Sequence, residues 1–224
     1  MPVTELACLR LKNNLPLTDP TNHLTESRLR AGLRAQAQYI NAATYLLTQI
    51  EDPSYIYILG KWDSVAQHVQ EWIPSATNQE VMGELSGDLD VVWLQHLDFD
   101  PSLGLSETAK GITDEGIPYD EPVVAIGRYF ISPFTKAGFE RTFAEAKHHL
   151  KEFRGPRKIA GAWRVDKQVD ESGSVNEEYV QFTAWDTVKE HSSFAESDGF
   201  KAFSKLKHFM QGAEIKHAQW TFKA

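Results

Sequence analysis

The segment YILGKWDSVAQHV, residues 57–69, has a close counterpart in VQFTAWDTVKEHS, residues 180–192. Each segment is an apolar run that leads into Trp-Asp-Ser/Thr-Val, and a histidine follows the valine by three residues. The match continues without a gap at a constant offset of 123 residues, so that residues 57–99 align with residues 180–222. We therefore predict that a unit of roughly a hundred residues occurs twice in the chain.

The composition is that of a globular protein. The chain has 224 residues, of which 42% are hydrophobic and 11% aromatic, and this is enough to build a substantial core. The net charge is -8, and no run of Lys or Arg interrupts the acidic balance. We therefore expect neither a nucleic acid nor an anionic membrane surface as a partner.

Cysteine content and hydropathy indicate the compartment. Cys8 is the single cysteine and cannot form an internal disulfide. The N-terminal residues MPVTELACLRLK lack the basic-then-apolar order of a signal peptide, and no apolar run approaches the length of a membrane span. These features favour a cytoplasmic protein.

The residue pattern predicts the same order of elements in both halves. The first half is predicted to contain strand 6–11, helix 24–42, strands 45–50 and 55–62, a helical region 64–85 interrupted at Pro74, and strand 91–97. The second half is predicted to contain strand 123–131, helix 136–153, strands 158–166 and 179–185, a helical region 187–209, and strand 215–222. We place the two domains at residues 1–100 and 122–224, with a linker at 101–121.

This order, βαββαβ in each half, predicts an α+β fold. Such a unit forms a four-stranded antiparallel sheet with two helices on one face, which is the ferredoxin-like arrangement. The opposite face of each sheet must also be buried, and the sister sheet is the obvious cover.

The Trp-Asp-Ser/Thr-Val-x-x-His step after an apolar strand resembles the dimeric α+β barrel superfamily, and within it the antibiotic-biosynthesis monooxygenase branch. The resemblance covers both halves of the chain. It implies that the two sheets pack together as an intramolecular barrel, a pseudo-dimer within one chain, with further homodimerisation left open. The superfamily contains cofactor-independent oxygenases acting on aromatic polyketides, polyketide cyclases, lactone isomerases, haem-degrading enzymes and proteins with no known reaction. The fold alone does not choose among them.

The paired histidines are the first candidates for chemistry. His68 and His191 each follow the strand-ending tryptophan by six residues, where a helical side chain can point back toward the sheet. A histidine there could act as a general base on a phenol or an acidic carbon. The alternative is that it packs the helix against the strand.

The paired tryptophans allow the same two interpretations. Trp62 and Trp185 could each stack on a flat aromatic substrate and donate one hydrogen bond from the indole. A tryptophan at a strand end is equally suited to fill the core.

Strand alternation favours the second half as the active one. On the face shared with Trp185, the predicted strand carries Tyr179, Gln181 and Thr183, whereas the matching face of the first half is mostly aliphatic. Polar groups that line a cavity can find a ligand as their partner. We therefore predict Trp185, Tyr179 and Gln181 as substrate-binding residues.

Four further residues of the second half complete the candidate site. Arg128 and Arg164 could neutralise an enolate, phenolate or carboxylate, although either could instead pair with an acid such as Asp166. His149 and His217 could join the substrate-binding group.

Metal and cofactor signals are weak. His148 and His149 are adjacent rather than four residues apart, so we expect them not to share a helical face and predict no metal site. No glycine-rich phosphate loop or nucleophile elbow is present. No cofactor is expected, with haem left open through His149, His191 or His217.

Two classes of function remain. One is a tailoring enzyme of secondary metabolism that acts on an aromatic or polyketide-like molecule, as a cofactor-independent monooxygenase or as an acid/base cyclase or isomerase. The other is a non-catalytic barrel protein that binds a small ligand, is related to stress, or binds haem. A cavity of a few hundred cubic ångströms that touches His191, Gln181 and an arginine favours the enzyme, whereas packed side chains there favour the scaffold.

Overall fold

The computed structural model describes residues 1–98, 117–118, 121–155, 157–167, 169, 173 and 175–224. The predicted linker at 101–121 lies outside the described residues, apart from positions 117, 118 and 121. The chain divides into two compact units, each with the element order βαββαβ. Unit 1 holds residues 1–98 together with Ala218–Ala224, and unit 2 holds the described residues from 117 to His217.

Unit 1 is an antiparallel sheet with the strand order β4-β1-β3-β2. Its strands are β1 (Val3–Leu11), β2 (Thr44–Gln49), β3 (Tyr55–Trp62) and β4 (Leu89–Leu97), and its helices are α1 (His23–Ile40) and α2 (Ala76–Leu85). A π-helical segment, Gln67–Trp72, precedes α2. The end of the last strand of the chain, β8 (Met210–Lys223), pairs with β2 from Ala218 onward.

Unit 2 repeats this arrangement. Its strands are β5 (Val123–Ile131), β6 (Ile159–Trp163) and β7 (Glu177–Trp185), followed by the first part of β8, and its helices are α3 (Lys136–Arg154), α4 (Val188–Phe194) and α5 (Asp198–Phe203). A short 3-10 helix, Ser204–Phe209, connects α5 to β8. The strand order is β8-β5-β7-β6, and β7 pairs antiparallel with both β5 and β6. The predicted fold class, α+β with two ferredoxin-like units, is confirmed.

The predicted break of the first helical region at Pro74 is present. The π-helical segment ends at Trp72, and α2 begins at Ala76 after Ser75, whose hydroxyl accepts a hydrogen bond from the Asn78 amide. Proline has no amide hydrogen to donate within a helix, which explains the interruption. The second helical region is likewise divided, at Ser197, which caps α5.

Helix and sheet meet in an apolar layer in each unit. In unit 1, Leu29 and Leu33 of α1 pack on Ile56 and Ile58 of β3. In unit 2 the layer is aromatic: Phe139 and Phe143 of α3 surround Tyr179 of β7, at ring-centroid distances of 5.3 and 5.4 Å. The sequence predicts that Tyr179 binds substrate, but its ring is enclosed by two phenylalanines of the core.

None of the helices in the described part of the chain is both long enough and apolar enough to cross a membrane.

The aromatic layer of unit 2 can be tested with a matched pair of substitutions. Phe143 is fully buried, whereas Phe134 is 97% exposed. We expect Phe143→Ala to lower the free energy of unfolding by about 3–5 kcal/mol, because it removes buried surface and leaves a cavity. Phe134→Ala serves as the control and should change it by less than about 0.5 kcal/mol. Urea denaturation measures both, and equal effects would contradict this description of the core.

Candidate functional site

Each unit contains the same stack of a tryptophan on a histidine. Trp62 and His68 lie nearly parallel at a ring-centroid distance of 4.1 Å, and Trp185 and His191 stack at 4.5 Å. The repeated sequence explains this geometry, because the end of the strand, the polar turn and the start of the helix fall at the same positions in both segments. Ser64 and Thr187 accept hydrogen bonds from backbone amides three residues later, and so fix the first turn that carries each histidine.

A second histidine completes the arrangement in each unit. His68 Nδ1 lies 2.7 Å from His96 Nε2, and His191 Nδ1 lies 2.7 Å from His217 Nε2. The ungapped alignment was wrong in the last strand, because it places His96 opposite Gln219 instead of His217. The repeat therefore slips by two residues between the helical region and the final strand.

In unit 1 the site is filled by a buried carboxyl group. Glu5 of β1, only 3% exposed, accepts hydrogen bonds at Oε2 from Trp62 Nε1 (2.8 Å) and Gln36 Nε2 (2.7 Å). Its other oxygen, Oε1, lies 3.9 Å from His68 Nε2. Together with His96, these side chains form a closed polar network beneath the helices of unit 1.

Burial raises the pKa of Glu5 to about 7, against the lowering effects of the bond from Trp62, the charge of His96 and the bond from Gln36. A carboxyl group with such a pKa exchanges its proton near neutral pH. Glu5 is therefore a group whose charge changes near neutral pH inside this network.

In unit 2 the corresponding space is open. Trp185 Nε1 donates to Thr183 Oγ1 at 2.8 Å, so the indole is satisfied by a neighbour on its own strand. Ala125 stands where β1 carries Glu5, because Ala125 pairs with Thr183 as Glu5 pairs with Gly60. A cavity of about 70 Å³ remains, and the residues that line it are Ala125, Gly127, Tyr129, Leu150, Gln181, Thr183, His191, Phe194, Phe200, Phe203 and Ile215.

One donor in this cavity has no partner in the described part of the chain. The Tyr129 hydroxyl donates to Gln181 Oε1 at 3.1 Å, which assigns Nε2 to the other side of the amide. Gln181 is 3% exposed, and its Nε2 has no hydrogen-bond partner among the described residues. Burial raises the pKa of Tyr129 further above its ordinary value, so its hydroxyl stays protonated and can donate to Gln181 Oε1. A buried donor of this kind is well suited to a ligand oxygen.

The arginines do not join His191. Side chains alternate along a strand, so Arg128 points away from the face of Gly127 and Tyr129. Arg128 pairs with Glu178 and Glu214, and Arg164 pairs with Glu178 (3.3 Å) and Asp166 (3.1 Å). Arg164 and Glu178 line a second cavity, of about 140 Å³. The expected cavity of a few hundred cubic ångströms that touches an arginine as well as His191 and Gln181 is not found: the first cavity measures about 70 Å³, and its lining residues include no arginine.

Of the remaining histidines, His217 joins His191, but His149 does not. His149 lies on α3 and packs closely against Gly199, because a Cβ atom added to the glycine would lie 2.9 Å from the Cβ of His149. The Nδ1 atom of His149 is 3.7 Å from Glu152 Oε2. The ring centroids of His148 and His149 are 3.8 Å apart, although the two adjacent residues were expected not to share a helical face. Together with Glu152 they offer three potential metal-ligand atoms within 4.8 Å of one another, at a largely exposed position.

Haem does not fit the unit 2 cavity. A porphyrin is far larger than the cavity volume of about 70 Å³. His149, the third histidine considered for haem, does not line this cavity.

Sequence reasoning did not identify Glu5, Gln36, His96 or Tyr129. Glu5 precedes the predicted start of its strand, yet it shares the alternation of Ala7 and Leu9, which face the core. That parity was the available signal. Gln36 offers no such signal, because a single polar residue on a helix is usually exposed.

Comparisons with known proteins show the fold. No protein-family profile matches the sequence, and no curated protein matches it. Among solved structures, a candidate monooxygenase from Fusobacterium nucleatum aligns with a TM-score of 0.62 at 9% identity, over 99% of this chain and 93% of its own. An anthrone oxidase-like protein gives 0.61 at 10% identity, over 100% and 92% of the two chains. A chlorite dismutase variant from Candidatus Nitrospira defluvii gives 0.60 at 11%, over 99% and 91%. At these identities the likeness establishes a shared fold.

The buried carboxyl group of unit 1 predicts a pH-dependent stability. The pKa of Glu5 is about 7 in the fold and about 4.5 in the unfolded chain, so the folded state retains a proton that the unfolded state loses. Wild-type stability should therefore fall as pH rises from about 4.5 to about 7, by an amount on the order of 3 kcal/mol.

The Glu5→Gln variant removes this ionisation while keeping an oxygen that can accept from Trp62. We expect its free energy of unfolding relative to wild type to increase between pH 5 and pH 8, with His68 and His96 present in both proteins. Urea denaturation at the two pH values measures the difference. A constant difference would show that Glu5 does not titrate in this range.

Proposed function

We propose that the chain is an enzyme that tailors a small aromatic or polyketide-like molecule in the unit 2 cavity, with His191 as the general base. The observation that carries this proposal is the cavity itself, which brings His191, Gln181 and Thr183 together beside three phenylalanine rings. Aromatic walls with a few convergent polar groups are typical of small-molecule sites. The monooxygenase-like names of several fold neighbours agree with it.

The histidine pair supplies the base. His191 Nε2 can accept a proton from a phenol or an acidic carbon, and the Nδ1 hydrogen then remains bonded to His217 Nε2. The second imidazole fixes the tautomer and orientation of the first, as an orienting group does in other acid/base sites. Trp185 stacks on the His191 ring and restricts its rotation.

The resulting carbanion or phenolate defines the two reaction types that we consider. In the monooxygenase type, dioxygen is the oxidant: a ring CH₂ becomes C=O, the substrate loses two hydrogens, and the second oxygen atom leaves as water. In the acid/base type, the same anion attacks a carbonyl of the substrate itself. The anthrone oxidase-like fold neighbour favours the first.

The size of the cavity limits how a substrate can enter. About 70 Å³ accommodates the reacting group but not a multi-ring molecule, whose pockets usually measure about 300–1,000 Å³. Phe200 and Phe203 of the short helix α5 line the cavity, and their displacement would enlarge it. We infer that a larger substrate would displace these two rings, while the group to be deprotonated reaches His191.

We further propose that the matching residues of unit 1 are structural. Trp62 and His68 are fully enclosed, and Glu5 satisfies the indole that would otherwise face a ligand. The interpretation as packing residues therefore suits Trp62, His68 and Trp185, which is also fully buried, whereas the interpretation as a site residue suits His191, which lines the cavity.

The substrate class can be sought by native mass spectrometry of the purified protein, before and after exposure to an extract of its source organism, with absorption spectra recorded in parallel. We expect a bound aromatic compound on a colourless protein. A haem band in the spectrum would contradict the proposal, because the proposed reactions use no cofactor.

With that compound as substrate, His191→Ala should lower kcat/KM by about 10²–10⁴-fold, the usual contribution of a general base. Oxygen consumption and product formation measure the effect, and His148→Ala on the exposed part of α3 serves as the control. His68→Ala should lower the free energy of unfolding but leave kcat within about threefold of wild type. Full turnover by a folded His191→Ala variant would remove the base assignment, and loss of turnover only in His68→Ala would move the site to unit 1.

A further inference from the structure

We propose that the ligand of the unit 2 cavity carries an acidic oxygen, as a phenolate, enolate or carboxylate, and that the carboxyl group of Glu5 marks the corresponding position in unit 1. This inference rests on the proposed site in unit 2 and specifies the chemistry of what binds there. It follows from comparing the two units with each other.

The strand register makes the two positions equivalent. Glu5 lies opposite Gly60, and Ala125 lies opposite Thr183, in each case two residues before the stacked tryptophan. The tryptophan–histidine stack and the histidine pair have closely similar geometry in both units, including the 5.0 Å separation of the paired histidine rings. The comparison therefore involves the same point in the same framework.

The two units fill this position with different side chains. In unit 1 a Cβ at Gly60 would lie 2.6 Å from Gln36 Nε2 and 2.9 Å from Glu5 Oε2, so the glycine makes room for the carboxyl group. In unit 2 the side chain of Thr183 is present, but Ala125 contributes only a methyl group, and the cavity opens beside both residues. Unit 1 thus contains its own acidic group where unit 2 has space for one.

The donors around that space suit an acidic oxygen. In unit 1, the Glu5 carboxyl group accepts from Trp62 and Gln36 and faces His68. In unit 2, the cavity is lined by Gln181, whose Nε2 lacks a partner among the described residues, and by Thr183. Because the Thr183 oxygen accepts from Trp185, its own hydrogen is left to donate.

His191 also lines the cavity, in the position that His68 occupies near Glu5. An ionised oxygen could therefore receive two neutral hydrogen bonds and, after proton transfer, a charged one from the imidazolium. A ligand without an oxygen acceptor would leave the Gln181 donor unsatisfied in a buried site, and an ionised oxygen accepts from this donor more strongly than a neutral one does. One molecule of ligand per chain is expected, since Glu5 occupies unit 1.

The test uses three single-ring probes in isothermal titration calorimetry at pH 8: benzoate, 4-nitrophenol and benzamide. Benzamide is the uncharged counterpart of benzoate, of nearly the same size. We expect one binding site per chain and at least about tenfold tighter binding of an anionic probe than of benzamide, equivalent to about 1.4 kcal/mol. Benzoate and 4-nitrophenol distinguish a carboxylate from a phenolate, and the absorption band of 4-nitrophenol reports whether it binds ionised.

Two paired variants exchange the residues between the units. Ala125→Glu with Thr183→Gly copies unit 1 into unit 2, and should weaken binding of the anionic probes by at least about tenfold while circular dichroism stays native. Glu5→Ala with Gly60→Thr and Ile58→Gln copies unit 2 into unit 1, because Ile58 stands where unit 2 carries Gln181, and should add a second site. If the first pair fails to fold, Gln181→Leu takes its place, with the same expected loss for the anionic probes.

Equal affinity for benzoate, 4-nitrophenol and benzamide, absence of binding, or anion binding unchanged in these variants would overturn the inference. Failure of the proposed function gives a different result: anion binding that depends on Ala125 and Gln181, together with no turnover of any bound compound. In that case the cavity is a binding site and not a catalytic one.

Discussion

The tryptophan that ends the third strand of each unit carries an indole hydrogen that must be satisfied inside the core, and the rest of the structure depends on how this is done. In unit 1 the acceptor is the carboxyl group of Glu5 from a neighbouring strand. In unit 2 it is the hydroxyl of Thr183 from the same strand. The first solution fills the space below the helices, and the second leaves it open next to His191.

This single difference separates a structural unit from a candidate functional one without altering the framework. The tryptophan–histidine stack, the histidine pair and the strand register are common to both units. In unit 1 a carboxyl group is buried, and this burial raises the pKa of Glu5. In unit 2, the Nε2 atom of Gln181 has no partner among the described residues, and a ligand could supply one. Pseudo-symmetry therefore provides a reference within the chain for interpreting an empty site.

Much of the fold could be predicted from the sequence. Strands β3 and β5 begin and end where the alternating apolar pattern places them, and Pro74 divides its helical region because proline lacks a donor. The candidate site was harder to predict. His191, His217 and Gln181 were identified by type and parity, but Arg128 and Arg164 lie on the other face of the sheet, where Glu178 pairs with both. The cavity arises from the small size of Ala125 and Gly127, and a missing side chain gives no positive signal in a sequence.

The last strand has a consequence for the independence of the two units. A single run of fourteen residues, β8, contributes its first part to unit 2, and from Ala218 onward it pairs with Leu46, Leu47 and Thr48 of β2. Thr221 bonds to Thr48, and Phe222 lies under the guanidinium of Arg30, so this end is built into unit 1. Cleavage between residues 98 and 117 would not yield two self-sufficient fragments. The N-terminal piece would expose the bare edge of β2, a surface prone to aggregation.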